Sequence, residues 1–439
     1  MQTAVHIAAI RFGLGFRLGE TISADPRAWL AAQIRPLPEA PGPSLAACLA
    51  SARAQRASGF APGAIPPEGV QRPGDILREE ALNWARRLLT TDLPFAERWA
   101  EFWSNHFTVS RRRGQATALI GAFQRQAIRP HVFGRLEDMV LSVARHPAMM
   151  LYLDNGGSTG PNSPAGQRGR RGLNENFSRE LLELHTLGVR TGYSQTDVTE
   201  LARILTGWSV GRGGESNEPD GFMFRPLAHE PGTKVVLGRD FPEGEEGGIA
   251  VIRYLATHPR TSAHLATKLV RHFVADQPPA PAVERVAAVL TETGGDLAAA
   301  ARAIIALPAA WDAGLAKLRS PQDYCLAVLR GLGAREEAAP SLLGAMASLA
   351  QPLWTASGPN GWPDTAADWA SPEQLMRRLD WVNQLAGRAA AAGAPDARDV
   401  AASTLGPLLK AETIDAVRRA SSAREALILL LACPEFQRR

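Results

Sequence analysis

Residues 174–188 read NENFSRELLELHTLG. At about 100° per residue, Glu175, Asn176, Arg179, Glu180 and Glu183 share one side of a helix, with Phe177, Leu181 and Leu184 on the other and His185 beside Leu181. An apolar stripe at spacings of three and four, set against a charged one, marks a helix that packs one face on a core. Gly188 follows where a left-handed cap falls. The same period recurs along the chain in SLAACLASARA (44–54), ILREEALNWARRLL (76–89), TDVTELARILTGW (196–208), TSAHLATKLVRHFV (261–274) and PAVERVAAVLTETGG (281–295). Alternating strand patterns are almost absent, so the expected fold class is all-α, a multi-helix globular protein. In SPEQLMRRLDWVNQLAG (371–387), Ser371, Pro372 and Gln374 predict a capping box with proline at the first helical position. One region departs from the helical period. Residues 221–248, GFMFRPLAHEPGTKVVLGRDFPEGEEGG, carry short β-type runs around turns and predict a small β-hairpin or extended flap.

The chain of 439 residues, 45% hydrophobic and 21% charged, lies in the ordinary globular range. It is read as one helical unit, 1–439, with room for two lobes and with Pro/Gly-rich loops at 57–74 and 155–172. Three cysteines, Cys48, Cys325 and Cys433, are odd in number and far apart. They offer neither a disulfide framework nor a CxxC knuckle and are expected as small buried residues. A net charge of +4 does not predict a nucleic-acid partner. The basic clusters Arg111–Arg113 and Arg168, Arg170 and Arg171 read as solvated charge. No run reaches the ~18 apolar residues of a membrane span, and the first residues lack a secretory pattern. The expected compartment is cytoplasmic, or periplasmic if a signal was removed.

The chemistry centres on the polar face. Glu180 and Glu183, three apart and beside Arg179 and Asn176, suit a metal, a proton-transfer pair or a polar substrate; the same group equally suits a buried ion-pair network that fixes helix packing. Glu183 and His185 point apart and cannot share one metal. HExxH, EF-hand, P-loop and GxSxG patterns are absent, so no metal or cofactor is named. ERWAEFWSNHF (97–107) has a polar face of Glu97, Glu101, Ser104 and Asn105, with His106 among Trp99, Phe102 and Trp103, a pattern more typical of core. In 264–273, Lys268 stands between His264 and His272 on one face, and a fixed cation there argues against a metal. The loop residues singled out for substrate binding are His229 in the flap and Asn360, Trp362 and Asp364 in SGPNGWPDTAADW (357–369). Tryptophan on a proline-bounded loop stacks on sugar rings, although Trp362 and Trp369 equally suit a plug onto a helix pair.

NENFSRELLELHTLG followed by GYSQTDVTELARILTGW, with FWSNHF (102–107), HEPGTKVVLG (229–238) and PNGWPD (359–364) in order, resembles the bacterial domain-of-unknown-function family numbered eighteen hundred. The resemblance runs from RFGLG near the start to CPEFQRR at the end. It implies a single helical unit and no established activity. It also implies a neighbour, the family numbered fifteen hundred and one, which resembles sulfatases and alkaline phosphatases. Two functions are therefore carried forward: a hydrolase-type enzyme on a polar substrate such as a glycan, with Glu180, Glu183 and Arg179 at its centre, and a non-catalytic binding or assembly protein beside a sulfatase-like partner.

Overall fold

Proline sits within the first turn of many of the helices, where its missing N–H is not needed and its fixed φ suits the helix. This holds for Pro73–Thr90, Pro94–His106, Pro259–Phe273, Pro321–Gly331 and Pro372–Ala391. The computed structural model describes residues 2–58, 66–169, 172–189, 191–213, 218–393 and 395–439. Arg170, Arg171 and part of the 57–74 loop lie outside the described residues. The helices used below are α1 (Leu45–Ser58), α2 (Pro73–Thr90), α3 (Pro94–His106), α4 (Asn176–Glu180), α5 (Gln195–Ile204), α6 (Pro259–Phe273), α7 (Ala280–Glu292), α8 (Pro321–Gly331) and α9 (Pro372–Ala391). The fold is all-α with a small β addition, and the periodic segments named above are mainly helical, 196–208 as far as Ile204. No helix among the described residues is long and apolar enough to cross a membrane.

The opening stretch needs one correction. After α4 the backbone widens into a π-helical turn, Leu181–His185, which displaces the register a regular helix would keep. Leu182 and His185 are therefore buried with Phe177 and Leu181, while Leu184 is only half-buried. Gly188 ends the segment at φ +97°, and its N–H reaches back to the Leu182 carbonyl at 3.2 Å. A Cβ at this position would lie 2.8 Å from His264 Nδ1, so glycine is required twice over.

The β region also differs in detail. β1 (Trp208–Val210) pairs antiparallel with β2 (Phe222–Phe224), and β3 (Lys234–Val236) with β4 (Arg239–Phe241). The first strand thus comes from the end of a segment read as helix. Its backbone is held out of the helix by Asn155, whose side-chain amide donates to the carbonyls of Leu205 and Trp208 at 3.2 and 3.3 Å. The predicted capping box at Ser371 is one-sided: Ser371 accepts from the Gln374 N–H, but the side-chain Oε1 of Gln374 has no partner among the described residues. The two-sided box forms at Ser194, where Asp197 accepts from the Ser194 N–H at 2.7 Å.

Buried side chains form two large clusters bridged by Trp354 and Leu408. α3 runs through the larger one and is buried almost all round, including Glu97 and Arg98. Glu97 takes a two-pronged contact from Arg129 at 2.6 and 2.9 Å and a third from Arg87 at 3.1 Å. Burial works against its charge, but the two guanidinium groups outweigh burial and hold the carboxyl below its ordinary value. Cys48, Cys325 and Cys433 are buried and unpaired.

Candidate active site

α3 and α6 bring polar side chains together at one cavity of about 350 Å³. Glu101, Asn105 and His106 come from α3, and Lys268, Arg271 and His272 from α6. The loop after Leu353 contributes Asn360, Trp362 and Asp364, and Ile120, Phe123, Gln322 and Asp323 are among the other residues of the wall. Asn105 clamps that loop from both sides: its amide donates to the Trp362 carbonyl at 2.9 Å and its oxygen accepts from the Trp362 N–H at 2.8 Å. The chain can come this close only because residue 361 is glycine. Gly361 has φ +77°, and a Cβ there would sit 2.4 Å from the Asn105 carbonyl oxygen. Trp369 is buried and donates to Pro363, whereas Trp362 is half-buried and faces the cavity.

The clamp delivers Asp364 to His272, with Oδ2 2.8 Å from Nδ1. Burial lowers the His272 ring below its ordinary value even though Asp364 opposes the shift, so near neutral pH the ring carries one proton. Asp364, an acceptor, fixes that proton on Nδ1. Nε2 is left as an unprotonated nitrogen to which no described protein group donates. Burial would raise Asp364, but His272, Lys317 and Arg439 together hold it down at about 2. Lys317 and Arg439 approach its Oδ1 at 3.6 and 3.5 Å. Arg439 also pairs with Asp323 at 2.9 Å, and Arg98 holds the same carboxylate from the other side at 2.9 Å.

Glu101 moves the opposite way. Burial raises its carboxyl, only partly offset by Arg87 and by the Trp84 indole N–H, which donates to Oε1 at 2.8 Å. His106 takes no such role because both of its nitrogens are engaged: one faces the His185 carbonyl at 3.2 Å and the other receives Lys268 Nζ at 2.8 Å. An ammonium donor requires an acceptor, so His106 Nδ1 is bare and Nε2 carries the proton. Burial and the neighbouring Lys268 hold this histidine well below its usual range.

Of the residues the sequence singled out, Asn360, Trp362 and Asp364 line the cavity, and Glu180, Glu183, Arg179, Asn176 and His229 do not. Arg179 lies 3.4 Å from Glu175 and 3.6 Å from Glu183 and donates to Gln195 on α5 at 2.9 Å, while Glu175 accepts from Thr199 and Gln195. That face fastens α4 to α5. Glu180 is raised by burial and by Glu183. Asn176 donates to the Leu153 carbonyl. His229 is buried, with Nδ1 on the Thr206 carbonyl at 2.9 Å and Nε2 receiving the Gly244 N–H at 2.9 Å and Lys234. It has no ring nitrogen left for a substrate. Glu230 beside it accepts from both nitrogens of Asn162, tying the flap to the 155–172 loop.

Sequence reading placed Glu101, Lys268 and His272 on polar helix faces without assigning them to a site. The signal was there: FWSNHF and PNGWPD both stood out, and the fold joins them through Asn105. Among the described residues no group of three or more His, Cys, Asp or Glu is arranged to hold a metal ion. Compared with known proteins, residues 7–438 match the family model described as a protein of unknown function, DUF1800. No curated protein and no solved structure matches the chain.

Proposed function

For a chain that belongs to the DUF1800 family, whose description carries no activity, we propose an acid–base enzyme of hydrolase type that acts on a polar substrate, such as a glycan, in the cavity between α3 and α6. The observation that carries this reading is the His272–Asp364 pair at the wall of a cavity that also holds a carboxyl pushed toward its protonated form; Nε2 of His272 has no described protein partner and lies closed to solvent until a substrate reaches it. Once a bound substrate opens access to it, His272 Nε2 takes a proton from water or a substrate hydroxyl, and Asp364 stabilises the imidazolium that results. Glu101 gives a proton to the departing oxygen. Two titratable groups displaced in opposite directions are the usual arrangement for such a division of labour. Trp362 supplies a stacking surface and Asn360, at the exposed rim, a hydrogen-bonding one. Glu180 and Glu183 serve in this reading as a packing face.

The test is hydrolysis of a panel of aryl glycosides and polysaccharides by the purified protein. His272→Gln and Glu101→Gln are expected to lower the rate about 10²–10⁴-fold with melting temperatures near that of the parent. Full activity in His272→Gln would overturn the assignment.

A second reading has its own observation. Leu375, Met376 and Leu379 are all exposed on α9, an apolar patch that suits docking to a partner such as the sulfatase-like neighbour. Co-elution of the two purified proteins, lost in Met376→Glu, tests it. The unpaired cysteines support a reducing, cytoplasmic compartment.

A further inference from the structure

Most of the cations around the cavity are already spoken for. Arg98 is paired with Asp323, Arg439 with Asp323 and Asp364, and Lys317 with Asp276 at 2.5 Å. Lys268 and Arg271 are different. They stand three apart on α6, line the same cavity, and have no carboxylate within ion-pair distance among the described residues. Lys268 Nζ meets only the neutral Nδ1 of His106 at 2.8 Å, and Arg271 Nε meets only the main-chain oxygen of Asp276 at 3.4 Å. The carboxylates that might have served them are committed elsewhere: Asp323 and Asp364 as described, and Asp276 to Lys317 and to the Ala366 N–H at 2.7 Å. Glu101 is displaced toward its neutral form, and Asp368 is exposed and bonded to Thr365.

Two cations with no carboxylate in direct contact, Asp364 acting on Lys268 from beyond ion-pair distance, leave room in a partly enclosed site for an anion from outside to complete them. We infer that the cavity takes a substrate bearing an anionic oxygen group, a carboxylate or a phosphate, held by Arg271 and Lys268 with Trp362 against the body of the molecule. This rests on the reading of the cavity as the substrate site and narrows its substrate from a neutral to an acidic one. Arg271 provides the planar fork that matches either oxyanion, and Lys268 provides a point charge. Burial lowers Lys268 to about 8, Asp364 opposing the shift and Arg271 adding to it; a bound anion would raise it again.

Calorimetric titration of the full chain with D-glucuronate, D-glucose and inorganic phosphate tests the inference, using the parent protein, Arg271→Gln and Trp362→Ala. Glucuronate or phosphate is expected to bind at least about tenfold more tightly than glucose, and Arg271→Gln is expected to erase that difference. The stronger of the two anions identifies the group recognised. Equal binding of glucose and glucuronate, lost in Trp362→Ala but indifferent to Arg271→Gln, would overturn the anion site and leave the cavity reading intact. Binding indifferent to both variants would overturn both readings. No binding of glucuronate or phosphate at millimolar concentration would overturn the anion site.

Discussion

His272 and Glu101 set the pH at which the proposed chemistry runs. The base must be unprotonated, which holds above the His272 value that burial has lowered. The acid must be protonated, which holds below the Glu101 value that burial has raised. The rate is therefore expected to rise as His272 loses its proton below pH 6.5, the ordinary histidine value, and to fall as Glu101 ionises. A pH–rate profile checks this, and an optimum above pH 8 would exclude the pair. His185 poses a separate question at the same scale. It is fully buried, as a core histidine should be, yet neither ring nitrogen has a partner. Burial holds it at about 3, so the ring is neutral. Unmet polar atoms in a core cost roughly 1–3 kcal/mol, and His185→Leu is expected to raise stability by about 1–2 kcal/mol in urea denaturation. A fall instead would show that the ring nitrogens are hydrogen-bonded in solution.

At the level of elements, the decisive contact joins a helix to a loop far away in the chain. Gly361→Ala would put a methyl group 2.4 Å from the Asn105 oxygen at a φ of +77°. It is expected to cost about 1–3 kcal/mol and to unseat Trp362, seen as faster hydrogen exchange of the Trp362 amide. Unchanged exchange would mean that the clamp is not what holds the loop. This contact also marks where sequence reading stops. Helical periodicity is local, so α1, α2, α5, α6 and α7 were legible from their own residues. The π turn at Leu181–His185 was not, because a wheel assumes a constant rotation per residue. Nor was β1, since Trp208 leaves the helix only when Asn155, distant in sequence, captures its carbonyl. Asp364 and Trp362 stood out by their local chemistry. Glu180 and Glu183 stood out in the same way, and only tertiary packing separates a carboxylate that fastens two helices from one that faces a cavity.

The whole molecule buries several histidines in neutral form, and this sets its behaviour in acid. His106, His146 and His185 are all nearly inaccessible; His106 titrates well below its ordinary value, and His146 and His185 near 3, burial being the first cause in each. Above pH 6.5 neither the folded nor the unfolded chain protonates them, so they leave stability unchanged. As the pH falls from 6.5 toward 3, the unfolded chain binds protons that the folded chain refuses, and stability declines over that window. At pH 5 His146 and His185 each account for about 2 kcal/mol, roughly 4 kcal/mol together, and His106 adds in the same direction. That is comparable to the 5–15 kcal/mol that holds a typical domain folded. Glu101, raised by burial, works the other way, since the folded chain binds its proton first, and Asp364 stays ionised down to about 2 and takes no part in this window. Urea denaturation at pH 7.5 and 5.0 is expected to show this loss, and equal stabilities would refute it. His146→Asn sharpens the measurement. The His146 Nδ1 caps the helix Pro147–Tyr152 by accepting from the Ala148 N–H at 3.1 Å, a role asparagine also fills. The variant should remain folded at pH 7.5 and lose about 2 kcal/mol less stability between the two pH values.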